Sequence, residues 1–315
     1  MSIAVTSSRF DLAAPQDSLE AGTTRRPTAF CNTDEVAAII ARGKGALLAG
    51  VPIHLSGPAG IGKTALAVRM AAEIGRPMSF LTGHEGLTPG DLVGQQVGHS
   101  ENIVVDRYIQ SVRRKQTESR IDWRDAVLAR AMREGHTLIY DEFTRSSPQA
   151  NVLLLSVLEE GILVSGAGAD GHSYIRAHPE FRIILTSNPS DYVAVNAAPD
   201  ALLDRMVTVH LDGYGPETES RILCSATDLD VDTARRIVAI VGDLRAQHGG
   251  DLLPSMRTSI LIGKLARHAQ TANGLDEATL EDLVMVVVQG RAPGIDRSAI
   301  AAAVRSSAPV ERKSA

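Results

Sequence analysis

Gly57-Pro58-Ala59-Gly60-Ile61-Gly62-Lys63-Thr64 decides the fold of this chain. Its pattern is G-x-x-x-x-G-K-[ST], with Gly57, Gly62, Lys63 and Thr64 in the fixed places of a phosphate-binding loop. Val51 to Ser56 ahead of it is a short apolar run bounded by Gly50 and Gly57. Ala65 to Ile74 behind it is rich in Ala, Leu and Met and reads as a helix. Strand, glycine loop and helix are the setting such a loop requires. Glycines let backbone N–H groups curl around a polyphosphate, and the helix N-terminus adds a favourable dipole. On this reading Gly57, Pro58, Ala59, Gly60, Ile61 and Gly62 form the cradle for ATP. Lys63 reaches the β- and γ-phosphates, and Thr64 holds Mg²⁺. The bland alternative is an ordinary Gly-rich turn.

Two more strands end in polar residues that suit this chemistry. Thr137-Leu138-Ile139-Tyr140-Asp141-Glu142 is an apolar run closing on two carboxylates. In P-loop proteins such an Asp orders the Mg²⁺ shell, which for Asp141 is read as contact through water. The adjacent Glu142 can accept a proton from the attacking water. Taken alone, the pair is also how many strands end in a polar turn; the upstream loop gives it meaning. Arg182 to Thr186 is another buried strand, followed by Ser187-Asn188-Pro189. Asn188 can hydrogen-bond the γ-phosphate or the lytic water. Asn-Pro is equally a turn initiator, and both readings hold together if the turn aims the side chain.

Along the chain, residues 1–30 mix Ser, Thr, Pro, Ala and balanced charge without periodicity, as a mobile arm does. Asn32-Thr33-Asp34-Glu35 can cap a helix through Ile39, Ile40 and Leu47. Strand candidates are 53–55, 78–81, 137–140, 182–186 and 207–211, with helices near 65–75, 123–134 and 148–159. Alternating strands and helices predict an α/β core at 31–212 with a parallel five-stranded sheet. After Leu211 the pattern turns helical at 216–226, 231–247, 258–272 and 280–288. This predicts a small helical lid domain at 213–298, then a solvated tail at 299–315.

The set G-P-A-G-I-G-K-T, L-I-Y-D-E-F and T-S-N-P resembles the AAA+ ATPases. That resemblance implies two further site residues. Arg205, in Leu202-Leu203-Asp204-Arg205-Met206, stands where the family carries an arginine finger that acts on a neighbour's nucleotide. Arg257, in Leu253-Pro254-Ser255-Met256-Arg257, stands where it carries the sensor 2 arginine. From spacing alone each is equally a solvated charge, Arg205 one at a helix end. Asp141 to Pro148, and Leu158 to Leu163 followed by Gly166–His172, are similar to the MoxR-like subgroup, with its helix and hairpin insert. Thr88 to Gly94, Asp141 to Ser146 and Ala201 to Thr208 extend the likeness, over roughly 32–250, to the gas vesicle accessory ATPases of that subgroup. The resemblance implies ATP and Mg²⁺ as cofactors, a hexameric homo-oligomer, and gas vesicle structural or accessory proteins as partners.

Composition narrows the alternatives. The chain has 315 residues, room for two domains, and no apolar run long enough to span a membrane. Met1 to Ser8 lacks the basic start and apolar stretch of a signal peptide. Cys31 and Cys224 stand apart, so a reduced cytoplasmic protein is expected, and the His residues, His84 and His99 among them, show no metal-ligand spacing. A net charge of −5 argues against a general nucleic-acid binder. The rival reading, a nucleic-acid motor or loader, would use Arg113, Arg114, Lys115, Arg120 and Arg124. Glu118, Asp122 and Asp125 interleave with them, which favours a solvated helix face. A scaffold that binds ATP and barely hydrolyses it is the other alternative, and Glu142 argues against it. A small-molecule kinase leaves the Asp-Glu strand, the Asn strand and the trailing helices unexplained.

Overall fold

The computed structural model describes residues 30–105, 115–164, 174–189, 200–247, 254–272, 274–292 and 294–307; for 96–123 it describes no side chains. Residues 1–29, Arg113, Arg114, Gly166–His172 and 308–315, on which several expectations fall, lie outside the described residues.

The main-sheet strands are β1 (Ile53–Ser56), β2 (Met78–Thr82), β5 (Thr137–Asp141), β8 (Arg182–Ser187) and β9 (Val207–His210), while β6 (Ile162–Val164) and β7 (Tyr174–Arg176) form a separate antiparallel pair. The main sheet has the order β2-β5-β8-β1-β9, and every pairing in it is parallel. Parallel neighbours need crossovers, and helices supply them. Successive strand residues face opposite ways. Ile53, Leu55, Ile139 and Ile184 therefore pack on one face with α1 (Asp34–Leu48) and α2 (Lys63–Ile74). Leu138, Tyr140, Ile183 and Leu185 pack on the other with α3 (Pro89–Val93), α4 (Val127–Glu134) and α5 (Pro148–Glu160). The carboxyl ends of all five strands lie along one edge of the sheet.

Sequence cues place several boundaries. Thr33 caps α1 by accepting from Val36 N at 3.3 Å. Thr88 and Asp91 make a capping box at α3, and Pro148 sits at the start of α5 after the Ser147 cap.

Two expectations are corrected. The helix expected from 123 begins at Val127. Lys115–Asp125 is instead strand β4, antiparallel to β3 (Gly94–Val105). Lys115, Arg120 and Arg124 thus lie on a hairpin and not on a helix face. A polar stretch has no apolar period to declare itself, and the β3 partner supplies the hydrogen bonds. The tail expected from 299 also starts later. Helix α11 (Arg297–Ser306) buries Ile300, Ala303 and Val304, an i, i+3, i+4 stripe in an Ala- and Ser-rich stretch.

After β9 the described elements are helical: α7 (Pro216–Thr227), α8 (Val231–Gln247), α9 (Met256–Ala272), α10 (Glu277–Gln289) and α11. They share a separate apolar cluster that includes Leu223, Ile237, Ile262, Val284 and Ile300. No helix among the described residues is long and apolar enough to cross a membrane.

Candidate nucleotide site

The phosphate loop leaves β1 and enters α2 at the carboxyl edge of the sheet, where open α/β sheets bind ligands. Gly62 caps α2 with φ 99°, and Gly60 has φ 83°, both in the left-handed region that favours glycine. The two left-handed residues bend the chain around a hollow at the helix N-terminus. Lys63 is buried, and its Nζ donates to Gly57 O at 2.6 Å and Pro58 O at 2.9 Å. The ammonium therefore arches over the cradle.

Strand order brings Asp141 to the loop, because β5 and β1 flank β8. Thr64 Oγ1 lies 2.9 Å from each Asp141 carboxylate oxygen. A hydroxyl and a carboxylate are hard oxygen donors, the kind Mg²⁺ takes. Thr186 Oγ1 donates to Asp141 Oδ1 at 2.5 Å and accepts from Glu142 N at 2.9 Å. Glu142 itself is left-handed at φ 53° and ψ 40°. For a residue with a Cβ that costs about 1 kcal/mol, and such strain gathers at functional sites. Its carboxylate pairs with Arg145 Nη1 at 2.7 Å.

Asn188 directly follows β8, and the preceding carbonyl, Ser187 O, accepts from Gly57 N at 3.4 Å. Arg257 reaches the loop from the helical region. A Cβ placed on Gly60 would meet Arg257 Cβ at 3.0 Å and Ser255 Oγ at 2.7 Å. The loop and the first turn of α9 are thus in van der Waals contact.

Arg205 is elsewhere. It lies between α6 (Asp200–Leu203) and β9, and Val207 pairs with Ile53 at the amino end of β1. At about 3.3 Å per strand residue, that is roughly 15 Å or more from the phosphate loop of its own subunit. Its Nη2 and Nε bond Glu159 Oε2 at 2.7 and 3.0 Å, and Nη1 donates to Ala201 O at 2.5 Å.

Three features were not legible as site features in the sequence. Beside the loop opens a cavity of about 250 Å³ lined by Phe30, Cys31, Ile61, Tyr214, Met256 and Ile260 among others. Burial pushes the Tyr214 hydroxyl up to about 12, with Glu35 adding to the shift, so it stays a neutral donor. Thr186, quoted in T-S-N-P, gave no sign that it would hold Asp141. His54, inside the apolar run of β1, is buried with one ring nitrogen 2.7 Å from Ser187 Oγ and the other 3.1 Å from Thr208 Oγ1.

Burial, with His210 and Lys63 nearby, lowers the His54 pKa from 6.5 to about 4. A base with a depressed folded pKa is protonated first in the unfolded state. Its contribution is intact above about pH 6.5 and is lost as pH falls towards 4. That difference corresponds to ~3 kcal/mol. Denaturant unfolding at about pH 7 and pH 4 should therefore show the wild type losing more stability than His54→Asn, by that order. Equal losses would remove His54 as the source. Cys31 and Cys224 are free and half-buried, and burial raises both thiols, which makes them poor nucleophiles.

A phosphate loop, an Asp-Glu strand beside it, a sheet in the order β2-β5-β8-β1-β9 and helices docked on the loop define a nucleotide-binding protein of the AAA+ class. Residues 52–206 match the AAA domain family, dynein-related subfamily. The Thermotoga maritima RuvB P216G mutant shares the fold, with a TM-score of 0.53 at 19% identity, covering 86% of this chain and 73% of that one. Gas vesicle ATPase GvpN of Ancylobacter aquaticus is 42% identical over 78% of this chain and 68% of its own length. Gas vesicle ATPase GvpN of Haloferax mediterranei is 38% identical over 83% and 74%. Protein NorQ of Paracoccus denitrificans, a MoxR-like relative, is 26% identical over 73% and 78%. The chain belongs to the GvpN family of MoxR-like AAA+ ATPases.

Proposed function

We propose that the chain hydrolyses ATP to remodel or assemble protein complexes during gas vesicle formation, as a hexameric ring in the cytoplasm, associated with gas vesicles. The observation that carries the ATPase half is the network Thr64–Asp141–Thr186–Glu142 at the carboxyl edge of the sheet, beside the phosphate loop. The gas vesicle half rests on the likeness to the GvpN gas vesicle ATPases.

In this reading the adenine base occupies the apolar cavity beside Ile61 and Tyr214, and the loop amides cradle the phosphates. Lys63 turns from the carbonyls of Gly57 and Pro58 to the β- and γ-phosphates. Thr64 and Asp141 would hold Mg²⁺, which when bound would neutralise phosphate charge. Glu142 takes the proton of the attacking water, released from Arg145 when the nucleotide is in place. Asn188 senses the γ-phosphate. Arg257, already in contact with Gly60, links the nucleotide to the helical region, so that hydrolysis moves it. Arg205 serves the neighbouring subunit, since its own loop is out of reach.

Lys63→Ala should abolish measurable ATP binding, because the cradle loses the one cation of its motif. Calorimetric titration checks this, and wild-type affinity in the variant would remove the phosphate-loop assignment. The cellular role is read by complementing a gas-vesicle-forming host that lacks its own GvpN. The wild-type gene should restore buoyant vesicles, and the Glu142→Gln gene should not. Failure of the wild-type gene in that host counts against the gas vesicle assignment.

A further inference from the structure

A histidine in the middle of a central parallel strand is out of place on physical grounds. His54 is 1% exposed, within a run whose neighbours Ile53 and Leu55 are fully buried. An aliphatic side chain there would need no partner, whereas a buried imidazole is tolerated only with its nitrogens hydrogen-bonded. Both are engaged, by Ser187 on β8 and Thr208 on β9. The ring therefore cross-ties β1 to both flanking strands three residues before Gly57, the first residue of the phosphate loop. Its face or edge also meets Phe143, with centroids 5.5 Å apart at 90°, and Phe143 is the residue after Glu142.

The Ser187 contact matters most. Ser187 ends β8, its carbonyl accepts from Gly57 of the loop, and Asn188 is the next residue. One residue earlier, Thr186 is held by Asp141 and Glu142. Consecutive strand residues point to opposite faces. The end of β8 is thus clamped on one face by Asp141 and on the other by His54, and Asn188 projects from the clamped end.

We propose that His54 is a positioning residue of the ATPase site, setting Asn188 through the hydroxyl of Ser187. The inference rests on the ATP-hydrolysis reading above. It makes the His54–Ser187 pair a requirement for turnover and not for nucleotide affinity. A site group must be held within a fraction of an ångström, and small misplacements cost large factors in rate. Gly57 bonds the Ser187 carbonyl, a backbone group that Ser187→Ala keeps, and Lys63 Nζ bonds the carbonyls of Gly57 and Pro58.

The test uses the full chain, measuring ATP affinity, steady-state turnover and melting temperature for His54→Leu, His54→Gln, Ser187→Ala and Asn188→Ala. His54→Leu and Ser187→Ala should bind ATP as the wild type does and turn it over about 10-fold more slowly. His54→Gln places an amide near the position of Nε2 and should recover most of the rate. In the Asn188→Ala background, His54→Leu should cause no further loss. A filler role would show itself in melting temperature alone. Wild-type turnover in His54→Leu and Ser187→Ala, or losses that multiply with Asn188→Ala, would overturn the proposal. If His54→Leu does not fold, Ser187→Ala and His54→Gln carry the same comparison. Wild-type turnover in the same assay is the separate check on the ATPase reading itself.

Discussion

Arg205→Ala is expected to bind ATP almost normally and hydrolyse it about 10³-fold more slowly, the scale of other arginine fingers. Arg205 precedes β9 at the amino end of the sheet, while the phosphate loop stands at the carboxyl end. A side chain so placed cannot stabilise charge on the nucleotide of its own subunit, but β9 is an edge strand, and an edge can face a neighbour. Its bonds to Glu159, on a half-exposed pair, are worth little and can be exchanged for a phosphate. Mixing distinguishes this from an effect within one subunit. An Arg205→Ala subunit keeps an intact loop, and a Lys63→Ala subunit keeps an intact finger. Mixed oligomers contain junctions with both, so activity should partly return. No recovery in verified mixed oligomers would end the trans assignment, and Arg145 would be the next candidate.

Glu142→Gln should keep ATP affinity and lose turnover by 10²-fold or more, because the amide has the shape of the carboxylate and cannot take a proton. The left-handed backbone at Glu142 is anchored by its N–H to Thr186 and its carbonyl to Arg145 N, bonds the substitution keeps while the side-chain pairing with Arg145 loses its charge. The expected signature is a variant that accumulates bound ATP. Turnover at the parent rate would show that Glu142 is not the base.

Much of this site was readable from the sequence because the family's chemistry is concentrated at strand ends. Ile53 to Ser56, Thr137 to Asp141 and Arg182 to Ser187 are apolar runs closed by Gly, Asp-Glu and Asn-Pro, and each end carries a polar residue that has no place in a core. The helices of 216–247 follow from amphipathic spacing. Other features depend on strand order, which no local pattern states. Thr186 meets Asp141, and His54 meets Ser187, only because β8 lies between β5 and β1. The contact of Arg257 with Gly60 likewise depends on how α9 docks. The antiparallel strand pair of 94–105 and 115–125 is hidden in the sequence because its polar, charge-mixed residues fit a helix surface and a strand equally well. Helix α11 was missed because Ala and Ser outweigh Ile300 and Val304 in composition while leaving their spacing intact.

The measurement that bears most directly on the central claim is phosphate release from ATP by the purified full chain in Mg²⁺ buffer, beside Lys63→Ala prepared identically. The site described here predicts steady release by the wild type and none above background by the variant. Equal release from both, or none from a wild-type chain shown to be folded and oligomeric, would contradict it.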